Sequence, residues 1–221
     1  MEQQDILSMT LPELQAAVQE LSEPKFRAKQ IFNWLHQKRV TDFSEMTTLS
    51  LPFRERLASD FCINRLKIAK RLASSVDDTV KYLYELPDGN YVETVCMQYH
   101  HGTSLCISTQ VGCRMGCRFC ASAIAGFVRN LTPAEMLLQI YETERAQNCK
   151  ISSLVLMGIG EPLDNFDNVL RFLQLLSDPN GYGMSLRHVT VSTCGVVPKI
   201  LESSPPRKGE MRLSLTTRAS M

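Results

Sequence analysis

Three cysteines stand close together in Cys113-Arg-Met-Gly-Cys117-Arg-Phe-Cys120, a CxxxCxxC spacing. Thiolates so spaced can wrap one soft metal centre. Three of them suit a [4Fe–4S] cluster in which one iron keeps no protein ligand. Such an iron can bind the amino and carboxylate groups of a small molecule and pass it an electron. Structural zinc is the competing use of the same residues. Zinc wants four ligands, and Cys106, His100 or His101 is available as the fourth. Gly112 and Gly116 let the backbone turn tightly around the centre. The chain has eight cysteines and no secretory-type start, so metal binding or catalysis outranks disulfides as their use.

The elements that position these thiols follow from the apolar pattern. SLCISTQ, before the motif, alternates like a strand, and TPAEMLLQIYETERAQ, after it, reads as a helix. The succession then repeats. SSLVLMGIGEP is a strand ending in a glycine loop, NFDNVLRFLQLLSD a helix, RHVTVSTCG a strand, VPKILES a short helix and MRLSLTT a strand. Alternating strands and helices predict a parallel sheet with right-handed crossovers. About four β units are visible, fewer than a closed barrel needs. Upstream, residues 11–21 and 24–38 read as amphipathic helices opened by Pro12 and Pro24, with Ile31, Trp34 and Leu35 in a buried stripe. Residues 51–61 suggest a third short helix. Alternating residues around Pro87-Asp88-Gly89-Asn90 predict a hairpin.

A hydrophobic content of 44% is enough for a packed core. The balance of 24 Lys+Arg against 23 Asp+Glu gives no reason from net charge to expect nucleic acid. The distribution is more informative. Lys25, Arg27, Lys29, Lys38 and Arg39 form one basic cluster and Arg65, Lys67, Lys70 and Arg71 another. Such clusters contact phosphates or serve as solvated faces. No apolar run reaches the roughly 18 residues of a membrane span, and MEQQDILSMT does not look like a signal. A cytoplasmic protein without a membrane partner is expected.

CxxxCxxC after one strand and Met157-Gly-Ile-Gly160-Glu161-Pro162 after the next together resemble the radical S-adenosylmethionine (SAM) superfamily. The flanking residues are more specific. Glu93-Thr-Val, Leu105-Cys106-Ile-Ser-Thr-Gln-Val-Gly-Cys113, Cys120-Ala-Ser, Gly126-Phe-Val-Arg-Asn-Leu131 and Val191-Ser-Thr-Cys-Gly-Val-Val-Pro198 resemble the RlmN/Cfr family of RNA adenine methyltransferases. KFRAKQIFNWLHQK is similar to that family's accessory domain. The resemblance implies an α/β fold: a partial (β/α) radical SAM barrel, incomplete at the C-terminus, with a small N-terminal helical domain and a β-hairpin. It implies an RNA-binding accessory region over 1–98 and a radical SAM core over 99–221.

The resemblance also assigns residues. Cys113, Cys117 and Cys120 hold a [4Fe–4S] cluster. Gly160, Glu161 and Ser192 contact SAM. Ser214, Leu215 and Thr216 stand where the family has a further SAM contact, usually Ser-Leu-His. Glu93 matches the proposed general base and Cys106 the resolving cysteine, which releases product by forming a disulfide with a methyl-carrying cysteine. The implied reaction is methylation of adenine C2 in 23S rRNA and tRNA, with an electron donor such as flavodoxin, by a monomer. C8 methylation of the Cfr type and a non-catalytic iron–sulfur or RNA-binding fragment are the alternatives. No cysteine after Cys120 matches the methyl carrier, so the chain is expected to be truncated and unable to complete methylation alone. A parallel sheet cut after about four strands is also expected to leave an unpaired edge.

Overall fold

The structure, a computed structural model, describes residues 3–118, 120–124, 126–202 and 212–215. The chain opens with a short strand, β1 (Gln4–Asp5), followed by helices α1 (Leu11–Glu20), α2 (Phe26–Asn33) and α3 (Leu51–Asp60). Helix α1 starts where Thr10 and Glu13 cap one another, the Thr10 N–H donating to Glu13 Oε2 at 2.8 Å. Helix α2 runs on through one π turn, Trp34–Lys38, and ends at Arg39 in the left-handed region, φ 56°. Strand β2 (Phe61–Cys62) pairs in parallel with β1 and closes the helical unit.

Four strands then form an antiparallel meander: β3 (Lys67–Ala73), β4 (Val80–Glu85), β5 (Tyr91–Tyr99) and β6 (Gly102–Cys106). Gly89, at φ 82°, makes the turn between β4 and β5. Two short antiparallel strands, β7 (Gln110–Gly112) and β8 (Phe127–Asn130), bracket the cysteine motif. The rest alternates as the sequence predicts: α4 (Pro133–Gln147), β9 (Ile151–Leu156), α5 (Phe166–Ser177), β10 (Val189–Thr193), α6 (Val197–Glu202) and β11 (Arg212–Leu215).

One seven-stranded sheet collects most of these strands, in the order β11-β10-β9-β6-β5-β4-β3. Strands β6, β9, β10 and β11 are parallel, the arrangement that helical crossovers impose. The hairpin around Asp88 continues into them, because β5 pairs with β6 from Val95 to Tyr99. The sheet therefore changes from antiparallel to parallel at β6.

Alternation gives the sheet two unlike faces. Tyr82, Tyr84, Val92, Thr94, Cys96, Leu105, Leu154, Leu156 and Val191 point to one face and are buried. That face meets α4: Tyr84 Oη lies 2.8 Å from Thr143 Oγ1, and Thr94 Oγ1 donates to Gln139 at 2.8 Å. The N-terminal helices cover the other side of α4, so every residue from Pro133 to Glu144 is buried. His36, at the end of α2, lies 2.9 Å from Tyr141 Oη, and Arg39 pairs with Glu144. The second sheet face carries Glu93, Val95, Cys106, Val155, Thr190 and Ser192, all partly exposed.

Candidate functional site

The cysteine motif is an excursion whose two feet are pinched together. The Cys113 N–H donates to Gly126 O at 2.9 Å. Gly112 and Gly126 have φ of 71° and 70°, conformations that favour glycine. A Cβ on Gly112 would overlap the carbonyl oxygen of Gly126. Within the loop the Cys120 N–H donates to Cys117 O at 3.0 Å, closing a turn between the last two cysteines. All three thiols are free and partly exposed. Burial pushes the Cys113 thiol above its ordinary range, and Cys120, Glu161 and Cys117 push it the same way. The three thiols and the Glu161 carboxylate therefore share one neighbourhood.

Among the described residues no three His, Cys, Asp or Glu side chains converge as ligands of a single ion do. A zinc ion draws its sulfurs to within about 4 Å of one another. A cubane places each thiolate on a different iron and needs a wider spread. His100 and His101 lie in the turn that precedes β6, where His101 stacks on Tyr99 and meets His100 edge-on. They are separated from the cysteine loop by the whole of β6, about 17 Å at strand rise, and do not supply a fourth zinc ligand. The three motif thiolates suit a [4Fe–4S] cluster with one open iron.

The loop after β9 is packed directly against the approach to this motif. Gly158 presses on the backbone of Ile107, and a Cβ there would lie 2.7 Å from its carbonyl. Gly160, at φ 105°, leaves no room beside Gln110: an added Cβ would stand 2.6 Å from Gln110 Cβ and 2.7 Å from its nitrogen. Gln110 is fully buried. Its Oε1 accepts the Glu161 N–H at 2.8 Å, and its Nε2 donates to Asn130 Oδ1 at 2.8 Å and Asp164 Oδ2 at 2.7 Å. Asp164 also receives Arg114, next to the first cysteine, at 2.9 Å. The Arg114 guanidinium lies 3.8 Å over the Phe127 ring. Asn165 donates to Thr109 O and Leu131 O, both at 2.8 Å.

Glu161 performs a similar task one strand further on. Its carboxylate is buried and accepts the Leu163 N–H at 3.0 Å and the Cys194 N–H at 2.8 Å. The side chain thus ties the loop after β9 to the loop after β10, and its oxygens are already engaged. Cys194 is exposed at this junction. Burial, then a bond to Glu161, raises its thiol to about 12.

Register places the remaining predicted residues on the partly exposed sheet face. Lys81, Val95, Cys106, Val155 and Thr190 form one row across five strands. Glu93 is two residues before Val95, and Ser192 two after Thr190, so both stand one step nearer the cysteine loop. Glu93 and Cys106 are diagonal neighbours on adjacent strands, about 7 Å apart by sheet geometry. Lys81 Nζ holds Glu93 Oε1 at 2.6 Å. Burial raises the Cys106 thiol above its usual range, partly offset by the backbone of Met157. Ser214 and Leu215 lie in β11, where Ser214 takes the register position opposite Ser192. Thr216 lies outside the described residues. The disulfide expected of Cys106 is not formed; all eight cysteines are free thiols. That bond needs a carrier thiol beside Cys106.

Several structural roles here escaped the sequence. Gln110, Asp164 and Asn165 carry the bonds between loops, yet their only signal was position within or just after the two motifs. The basic residues divide. Arg129 is held by Asp88 at 2.6 Å and by Glu135 at 2.8 Å, whereas Lys25, Lys29, Lys38, Lys67, Lys70 and Arg71 are exposed.

Comparison with known proteins accords with this layout. A family model described as the ribosomal RNA large subunit methyltransferase N-terminal domain matches residues 4–63, and the radical SAM superfamily model matches 107–207. The chain is 52% identical to a probable dual-specificity RNA methyltransferase RlmN of Lachnoclostridium phytofermentans, over 89% of this chain and 55% of that protein. It is 46% identical to the protein so named in Clostridium novyi, over 97% of this chain and 62% of that one. A radical SAM methyltransferase from Sphaerobacter thermophilus has the same fold, with a TM-score of 0.87 and 33% identity, over 96% of this chain and 63% of that chain. The chain thus spans about three-fifths of the length of the relatives it matches. Radical SAM proteins use a [4Fe–4S] cluster and SAM, the pair of ligands that the three thiols and the glycine loop suit, and site, fold and likeness together ally this chain with the RlmN-type radical SAM proteins.

Proposed function

We propose that this chain forms the cluster- and SAM-binding part of an enzyme that methylates C2 of adenine in 23S rRNA and tRNA. One observation carries the reading: Glu93, Cys106 and Ser192 share the sheet face and the sheet end at which the cysteine loop and the Gly160–Glu161 loop meet. Cys113, Cys117 and Cys120 would hold the cluster, and the backbone at Gly160–Glu161, with Ser192 and the β11 segment, would hold SAM. When bound, the two groups supply one-electron chemistry suited to a ring carbon that has no nucleophilic lone pair.

The chain's own residues have simpler tasks. Glu93 accepts the proton that leaves the ring carbon, with Lys81 orienting its carboxylate. Cys106 supplies a thiol on the same face for product release. The exposed lysines on α2 and β3 meet RNA phosphates. An external one-electron donor reduces the cluster.

Anaerobic reconstitution with iron and sulfide tests the reading. A brown protein with equal iron and sulfide is expected, and Cys113→Ala, Cys117→Ala and Cys120→Ala should each lose most of both. A colourless zinc protein would overturn it. Mass spectrometry of RNA modified by the intact protein containing this chain then locates the methyl group. Methylation at C8 instead of C2 would reassign the target atom.

A further inference from the structure

We propose that Gln110 is a positioning residue: its buried amide sets the distance between the cluster loop and the loop that receives SAM. This rests on the reading above and deepens it. Gln110 opens β7, three residues before Cys113, so it stands at the foot of the cysteine excursion. Its carbonyl oxygen takes the Glu161 N–H at 2.8 Å. Its amide nitrogen gives one hydrogen to Asn130, in the strand leaving the excursion, and one to Asp164, which also holds Arg114. One side chain therefore joins both feet of the cluster loop to the loop after β9.

The residue type follows from the bonds required. The position needs one acceptor and two donors on a single planar group, and only a primary amide offers that set. A carboxylate would keep the acceptor and lose both donors, facing the oxygens of Asn130 and Asp164. Asparagine is one methylene shorter, whereas Gly160 already lies in contact with the Gln110 Cβ and Cγ. The length is thus fixed from one side and the bonding from the other. Gln110 is wholly buried. Its effect passes through the Glu161 backbone, which in this reading lies beside the SAM amino group.

The test uses the reconstituted chain and its Gln110→Met and Gln110→Glu variants. Methionine keeps the length and the apolar contacts but makes none of the three bonds. Three quantities are read: iron and sulfide per chain, the dissociation constant for radiolabelled SAM by equilibrium filtration, and the change that SAM induces in the electron paramagnetic resonance spectrum of the reduced cluster. Gln110→Met should retain wild-type iron and sulfide, weaken SAM about tenfold and blunt the SAM-induced spectral change. Gln110→Glu should be worse on both SAM readouts. Hydrogen exchange of the segment 159–163, measured without cofactors, should quicken in both variants while α4 stays protected. Thr94→Val, which breaks a buried bond on the far face, should lower thermal stability without moving SAM affinity. Wild-type affinity and an intact spectral response in Gln110→Met would overturn the proposal. A wild-type chain that takes up iron but neither binds SAM nor changes its spectrum would instead overturn the parent reading.

Discussion

At the scale of single residues, backbone conformation decides more than side-chain reactivity. Gly112 combines a positive φ with a backbone neighbour that leaves no space for a Cβ. Gly112→Ala should therefore lose about 3 kcal/mol of unfolding free energy, measured in urea, from strain and overlap together. A loss below 1 kcal/mol would mean that the excursion relaxes freely. Cys106 makes the opposite point about reactivity. Burial raises its thiol, so little thiolate is present near pH 7. Its alkylation by iodoacetamide should be slower than that of an unstructured cysteine peptide, and should keep accelerating above pH 9. Mass spectrometry of the labelled peptide reads the rate directly. The cysteines and glycines of both motifs were legible in the sequence, because their spacing is their chemistry. Gln110 was not, because its three partners lie 20, 51 and 54 residues away.

At the scale of elements, α4 shows why a polar sequence can be buried. Glu135, Gln139, Glu142 and Glu144 are polar or charged, yet all four are buried. Each has polar partners: Glu135 pairs with Arg129, Gln139 bonds with Thr94 and Ser108, Glu142 pairs with Arg65 and Arg145, and Glu144 pairs with Arg39 and accepts the Tyr182 hydroxyl. Helix existence was legible from Thr132-Pro133 and the apolar spacing. The covering by α2 was not, since it depends on partners about a hundred residues upstream. That covering carries a titration. Burial lowers His36 from 6.5 to about 4, so the folded state resists protonation that the unfolded state accepts. The contribution to stability is complete above pH 6.5 and drains away as pH falls from 6.5 towards 4, by roughly 2 kcal/mol at pH 5. Asp5 works against it, because burial raises it to about 6 and folding gains as pH drops from 6 towards 3.8. The comparison that isolates His36 is therefore with His36→Gln. The stability of that variant should fall less than the wild type's between pH 7.5 and 5. Parallel pH dependences would remove His36 as the titrating group.

For the whole molecule, the N-terminal helices and the sheet share one continuous buried cluster, from Ile6 and Leu14 through Leu137 to Val191. Two family models divide the sequence, but the apolar contacts do not. Calorimetric and van't Hoff enthalpies should therefore agree in a single thermal transition; two resolved peaks would mean that the helical unit melts alone. The sheet's chain-order logic was legible where strands alternate with helices. The antiparallel half was only partly so: β3, KIAKRLA, is exposed along its whole length and carries no inward-facing apolar alternation to announce it. Among the described residues no helix is long and apolar enough to cross a membrane.

The pinched feet of the cysteine excursion have a consequence for engineering. Cys113 and Gly126 meet through a backbone bond beside Gly112, so the intervening stretch begins and ends at one point on the scaffold. Such a stretch is a portable cassette. Its contents can be exchanged with the corresponding piece of a distant relative, or shortened into a synthetic peptide, without asking the underlying strands to shift.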